Sequence, residues 1–302
     1  MRPRSLALLA CAAALAAAQG CSRSNADSAT STAEPTEPTE PDCLLVEDGF
    51  GGPGPVAVRA ETFVSGLEVP WSVAFLPGGD ALVTERPGRV RLVRDGSLVP
   101  EPVATVPTSA RGEGGLLGLV LHPSFADNRV FFVYYTADRD GRAVNRVARY
   151  VLAADGRSAQ QQAIVLDGIP AETFHDGGRM RFGPDGLLYI GTGDAGEPRL
   201  SQAPESLAGK VLRLTPEGTV PPDNPRQGNP LFLLGVRNVQ AFDWLPDGRL
   251  VVADHGPSGE LGRRGHDEIT VAAKGDNLGW PGTWRCETAP GIETPEIVWE
   301  RA

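Results

Sequence analysis

One short phrase returns four times along this chain, and its return restricts the fold more than any other feature. It reads "VPWSVAFLPGGDALVTERPGRVRLV", then "GLVLHPSFADNRVFFVYYT", then "GRMRFGPDGLLYIGTGD", then "VQAFDWLPDGRLVVADHG". Each copy joins two apolar runs, rich in β-branched and aromatic residues, through a turn that contains proline, the pattern of paired antiparallel strands. Anchored on Pro77, Pro123, Pro184 and Pro246, the copies stand 46, 61 and 62 residues apart, which is propeller-blade spacing with room for inserted loops. No long helical periodicity interrupts them. The chain therefore reads as an all-β propeller. A plain β-sandwich would show similar turns but has no reason to repeat one phrase.

In a propeller, residues at the ends of the innermost strands face the central channel, so equivalent positions from different copies meet at one mouth. The candidates there are Glu113 in "RGEGGLLG", His175 and Arg179 in "HDGGR", Asp194 in "GTGDAG", Arg237 and Asn238 in "GVRNVQ", and His255, Gly256 and Pro257 in "ADHGPSG". His175 lies just before an expected strand over 179–182, and Asp194 is expected to close the next strand of the same hairpin. A histidine beside a carboxylate is held in one tautomer and becomes a better base, which suits removal of a hydroxyl proton. An arginine at the same mouth stabilises developing negative charge on oxygen. Taken singly, each fragment also has a plain reading: "HDGG" as a turn, "GTGD" as a strand end with a capping Asp, and the Arg-Asn pair as a surface hydrogen-bonding patch.

The first twenty residues carry Arg2 and Arg4, then a Leu/Ala stretch too short to span a bilayer, then Ala18-Gln19-Gly20-Cys21. Residues 1–20 read as an export signal of lipoprotein type with Cys21 as the lipidated mature end. An ordinary secretory peptide cleaved nearby is the alternative. Residues 21–42, with Ser, Thr, Pro and acids and almost nothing to bury, read as a disordered tether. The expected location is the periplasm or cell envelope, touching the membrane only through lipid on Cys21. With 38 acidic against 28 basic residues the formal charge is −10, which disfavours nucleic acid as a partner. Cys43 and Cys286 are the cysteines left for the folded part over 43–302. In an oxidising compartment they either pair or remain two buried thiols.

The ordered series GEGGLLGLVLHPSF, HDGGRMRFGPDGLLYIGTGDAG, SLAGKVLRLTPEG, GVRNVQAFDW, ADHGP and DEITVAAKGDNLGWP resembles the soluble, pyrroloquinoline-quinone-dependent glucose/sorbosone (aldose sugar) dehydrogenases. The resemblance runs over about residues 55–281. It implies a six-bladed β-propeller of the soluble quinoprotein glucose dehydrogenase type, with only about four to five blades in this chain. It also implies oxidation of the anomeric CH–OH of an aldose to a lactone, with pyrroloquinoline quinone and calcium as cofactors and a separate electron acceptor. By resemblance, His175 is the base, Asp194 its orienter, and Arg237 the stabiliser at the quinone oxygens. Glu113, Arg179 and Asn238 join Arg237 around cofactor and substrate, and the carbonyls of Gly256 and Pro257 hold calcium.

Two departures stand out. Where many relatives read Gly-His-Arg-Asn-Pro-Gln-Gly, this chain has Gly235-Val236-Arg237-Asn238-Val239-Gln240-Ala241, keeping Arg-Asn without the histidine and proline. Relatives also continue beyond the Trp280-Pro281 position with further blades and basic residues for the cofactor's carboxylates, so the chain reads as shortened at its C-terminus. Two other function classes stay open: a calcium-dependent lactonase on a six-bladed propeller, and a propeller binding module without catalysis.

Overall fold

The computed structural model describes residues 43–47 and 57–301. The expected signal, tether and Cys21 lie outside the described residues. Strand β1 (Leu44–Val46) comes first in the chain but is placed last in its sheet. The first blade holds β2 (Pro70–Phe75), β3 (Ala81–Glu85), β4 (Arg89–Arg94), β5 (Ser97–Leu98) and β6 (Ala104–Thr105), the last two both pairing with β4. The second holds β7 (Leu116–Leu121), β8 (Val130–Arg139), β9 (Arg142–Leu152) and β10 (Ala159–Pro170). The third holds β11 (Met180–Phe182), β12 (Leu188–Gly191), β13 (Lys210–Leu214) and β14 (Leu231–Leu234). The fourth holds β15 (Val239–Trp244), β16 (Leu250–Asp254), β17 (Asp267–Ala272) and β18 (Ile297–Trp299), with β1 parallel to β18 at the edge. Four blades of a β-propeller are thus present among the described residues, the lower end of the four to five expected. Each anchoring proline sits in the turn between the first and second strands of its blade.

The cores lie between blades, and strand periodicity explains how one strand serves two of them. Successive side chains point to opposite faces, so on β8 Phe131, Val133 and Tyr135 pack toward Leu82, Val90 and Leu92 of the first blade. Their neighbours Phe132 and Tyr134 pack toward Met180, Ile190 and Leu212 of the third. The same alternation sends Tyr189 and Val211 the other way, onto Phe242, Leu250 and Val252 of the fourth. A strand buried on both faces must be apolar throughout, which is why "VFFVYY" shows no polar alternation.

Cys43 and Cys286 are disulfide-bonded across 243 residues, so of the two expectations the paired one holds. The bond fixes the start of the described chain beside β18, where Leu44, Leu45 and Val46 pair with Ile297, Val298 and Trp299. Closing so long a loop restricts the unfolded chain and contributes roughly 2–5 kcal/mol.

Candidate functional site

The mouth of the channel is built from loops whose glycines let backbone lie on backbone. The "HDGG" loop leads from β10 into β11, and the "GTGD" loop follows β12. A Cβ on Gly177 would come within 2.6 Å of the Thr192 carbonyl carbon, and one on Gly193 would collide with the His175 carbonyl. Glycine is required at both for the two loops to touch. Their contact brings His175 to Asp194. The expected strand over 179–182 begins one residue later, at Met180, and Asp194 lies three residues beyond β12 instead of closing it. It sits next to an isolated bridge between Gly193 and Asn238, which fixes it against the loop entering the fourth blade.

His175 Nδ1 and Asp194 Oδ1 are 2.6 Å apart, and both side chains are buried. Asp194 Oδ1 also accepts the Gly196 N–H at 2.9 Å, while Oδ2 accepts the Trp280 Nε1–H at 2.9 Å. An oxygen pair receiving this many donors is a carboxylate, so Nδ1 carries a proton, and in the neutral ring Nε2 keeps its lone pair. His175 itself is held at φ 61°, a left-handed conformation that costs a non-glycine residue about 1–2 kcal/mol. The cost is offset by its surroundings: the His175 N–H donates to Glu113 Oε2 at 2.8 Å, and the Gly177 N–H donates to Asn238 Oδ1 at 3.0 Å.

Arg237 and Asn238 hang from the buried Asp254, whose two oxygens accept their backbone N–H groups at 2.7 and 2.6 Å. Burial still pushes the Asp254 carboxyl up to about 6. The Arg237 carbonyl accepts the Asp194 N–H at 2.7 Å, tying the pair together from the backbone. Its guanidinium turns the other way, paired with Glu260 and donating to the His255 carbonyl and Ser258 Oγ at 2.9 and 3.3 Å. Arg179 donates to the Gln240 carbonyl at 2.9 Å and lies 4.4 Å over the Trp71 ring, bridging the third and first blades. Burial lowers its affinity for a proton.

A cavity of about 370 Å³ opens beside these groups, lined in part by Trp71, Arg86, Glu113, Asp176, Asn238 and His255. Asp176 is 1% exposed. Its Oδ1 accepts Asn145 Nδ2 at 2.9 Å, its Oδ2 finds no partner among the described residues, and burial pushes the carboxyl up to about 6. His255 also lines a second cavity, of about 410 Å³, together with Gly256, Pro257, Ser258 and Arg264. The Pro257 carbonyl accepts the Gly265 N–H at 2.8 Å, and Gly256 donates its N–H to Asp267 Oδ1 at 2.7 Å. Asp267 Oδ1 also takes the His255 ring at 2.7 Å, making a second histidine–aspartate pair.

The structure therefore gathers His175, Asp194, Glu113 and Asn238 tightly, with Arg237 attached through its backbone. Arg179 is held behind two residues of the cavity wall, Trp71 and Gln240, and Gly256 and Pro257 lie in the neighbouring cavity. Residue-by-residue reading passed over Asp176, Asp254, Asp267 and Trp280, although each lies inside a motif already singled out. Their carboxyls and indole matter through contacts with loops far away in sequence, which local spacing does not reveal.

Comparison with known proteins places the chain in a family. The family model described as Glucose / Sorbosone dehydrogenase matches residues 67–302. An uncharacterized protein of Synechocystis is 37% identical over 250 residues, covering 74% of this chain and 59% of its own length. Aldose sugar dehydrogenase YliI of Escherichia coli is 33% identical over 270 residues, covering 82% of this chain and 71% of the relative. Among solved structures, the PQQ-bound aldose sugar dehydrogenase of Streptomyces coelicolor superposes with a TM-score of 0.73 at 37% identity, over 80% of this chain and 70% of that one. The chain thus spans a little over half to about seven tenths of these relatives. With these motifs, blades and matches together, the chain belongs to the glucose/sorbosone dehydrogenase family.

Proposed function

We propose that this chain oxidises the anomeric CH–OH of an aldose sugar to a lactone, with pyrroloquinoline quinone and calcium as cofactors. The observation that carries the reading is the buried His175–Asp194 pair at 2.6 Å, beside a cavity edged by hydrogen-bonding groups. His175 Nε2 takes the hydroxyl proton. Asp194 fixes the tautomer and favours the imidazolium that forms, a contribution of about a hundredfold to ten-thousandfold for a general base. Glu113 and Asn238 orient sugar hydroxyls at the same mouth. Relatives described as an aldose sugar dehydrogenase and as a PQQ-bound form support the substrate class and the cofactor.

The residues fit the cofactor's reactive side. Bound there, the quinone supplies a two-electron acceptor for the hydrogen leaving the anomeric carbon. Asn238, on the cavity wall, would stand by its oxygens, Arg237 would join it there on leaving Glu260, and the carbonyls of Gly256 and Pro257 would offer a hard cation the oxygen donors it prefers. Positive charge for the cofactor's carboxylates is sparser: Arg86 is the one arginine among the described residues that line this cavity, which Glu113 and Asp176 also line. Calcium is therefore essential to the charge balance in this reading. A lactonase fits less well, because among the described residues no three His, Cys, Asp or Glu side chains are placed to share a metal ion.

The test is dye-linked oxidation of glucose and other aldoses by the purified chain after addition of quinone and calcium, with the lactone identified as product. Dye reduction that needs both additions is the expected result. No dye reduction under conditions where the quinone is shown to bind would overturn the reading.

A further inference from the structure

The loop after β17 reaches back to the buried pair through one side chain. Trp280 is 4% exposed, and its Nε1–H meets Asp194 Oδ2 across 86 residues of sequence. The loop is docked independently of that bond. Gln202 Nε2 donates to the Trp280 carbonyl at 2.7 Å and to Asn277 Oδ1 at 2.9 Å, and the Trp280 N–H donates to the Gly235 carbonyl at 2.9 Å. Arg237 and Arg263 each place a guanidinium carbon 6.0 Å from the indole ring. The indole is thus clamped, and its single donor is aimed at the oxygen that the histidine does not use.

We propose that Trp280 is a positioning residue: its N–H on Asp194 sets how strongly the carboxylate pulls on the His175 proton, and so sets the pH range in which His175 is a free base. The meaning for catalysis rests on His175 being the base, whereas the coupling itself does not. A carboxylate sharing its charge among the Trp280, Gly196 and His175 donors has less left for any one of them. Remove the indole donor, and in this buried setting the unspent charge falls on His175, favouring the imidazolium.

The other charged groups near the pair stay in place in such a change. Glu113 holds the His175 N–H, and Asp176 follows His175 in the same loop. Asp254 lies behind the Arg237–Asn238 backbone and senses the charge of Asp194. Arg237 and Arg263 flank the indole. None of them donates to Asp194 Oδ2 in place of Trp280.

The experiment uses the whole chain without cofactor, labelled at its four histidines, with the His175 ring signals assigned by comparison with His175→Gln and followed by NMR against pH. Trp280→Phe removes the donor and keeps an aromatic ring. Benzothienylalanine at position 280 keeps the full bicycle and replaces N–H with sulfur, which guards against a phenylalanine variant that fails to fold. Gln202→Ala loosens the same loop without touching the N–H. The expected result is a His175 titration moved to higher pH by at least about half a unit in both position-280 variants, with no move in Gln202→Ala. Folded position-280 variants that titrate like the parent overturn the proposal. So does a Gln202→Ala shift of equal size, which would make Trp280 a packing residue. If the shift is seen while His175→Ala keeps its turnover, the coupling stands and the catalytic reading falls.

Discussion

Two histidine–aspartate pairs stand at this channel mouth, joined through the same ring nitrogen at nearly the same distance, 2.6 Å for His175–Asp194 and 2.7 Å for His255–Asp267. Their surroundings differ sharply. The first pair is 5% and 0% exposed at its side chains, the second 38% and 38%. Asp194 also accepts an indole N–H and a backbone N–H, and its side chain is closed off from solvent. Asp267 has one further donor, Gly256 N–H, and shares the rest with solvent. Its hydrogen bond raises the His255 proton affinity, yet in half-exposed surroundings that interaction is screened and interchangeable with water. The lesson is that distance alone does not make a catalytic dyad. In the proposed reading, burial and the two added donors turn one of two similar pairs into a fixed base.

The sharpest way to break the comparison is to remove each histidine in turn in quinone-loaded protein. His175→Ala is expected to lose about a hundredfold to ten-thousandfold in turnover, while His255→Ala, in the solvated pair, loses less than about tenfold. Equal losses, or the larger loss at His255, would show that burial does not single out the base.

A smaller effect is expected in folding. Asp194→Ala strands the Trp280, Gly196 and His175 donors in a buried site and should cost about 2–4 kcal/mol by chemical denaturation. Asp267→Ala should cost about 1 kcal/mol or less, because water replaces the lost acceptor. A double-mutant cycle in rising salt sharpens the contrast further. The coupling of His255 to Asp267 should fall toward zero, whereas that of His175 to Asp194 should hold.

A third prediction concerns Asp176, which shares the burial of the first pair without its donors. Its folded-state affinity is raised from the ordinary 3.8 to about 6, so the folded chain binds this proton more tightly than the unfolded chain does. Its contribution to stability is therefore greatest below about pH 4 and is lost as the pH climbs to about 6. Asp176→Asn should stabilise the fold by about 1–3 kcal/mol at pH 8 and by almost nothing near pH 4. A variant equally or less stable at pH 8 would show that Oδ2 has a partner in solution.

Much of this arrangement was legible in the chain. Four phrases anchored on Pro77, Pro123, Pro184 and Pro246 marked the two inner strands of all four blades, because a tight turn and a doubly buried strand leave strong local signals. The motifs "HDGG" and "GTGD" put His175 and Asp194 at one mouth, but the backbone contact that their glycines allow is seen only in the structure. Outer strands left weaker traces. β10 is largely exposed over Gln160–Ala163 and carries no apolar run there to read, and β1 finds its partner β18 only at the far end of the chain. The Trp280 donor, the Asp254 anchor and the engagement of Arg237 with Glu260 are long-range or side-chain events, set by packing between blades, and residue spacing does not encode them.

The central claim is that the buried pair holds His175 with its proton on Nδ1 and a free lone pair on Nε2. Nitrogen-15 NMR of the imidazoles at a pH where the ring is neutral reads this directly. The account predicts a protonated Nδ1 and a bare Nε2 at His175, with a tautomer preference stronger than that of His255. A proton found on Nε2 of the neutral His175 ring would contradict it, since such a ring has no base to offer the sugar.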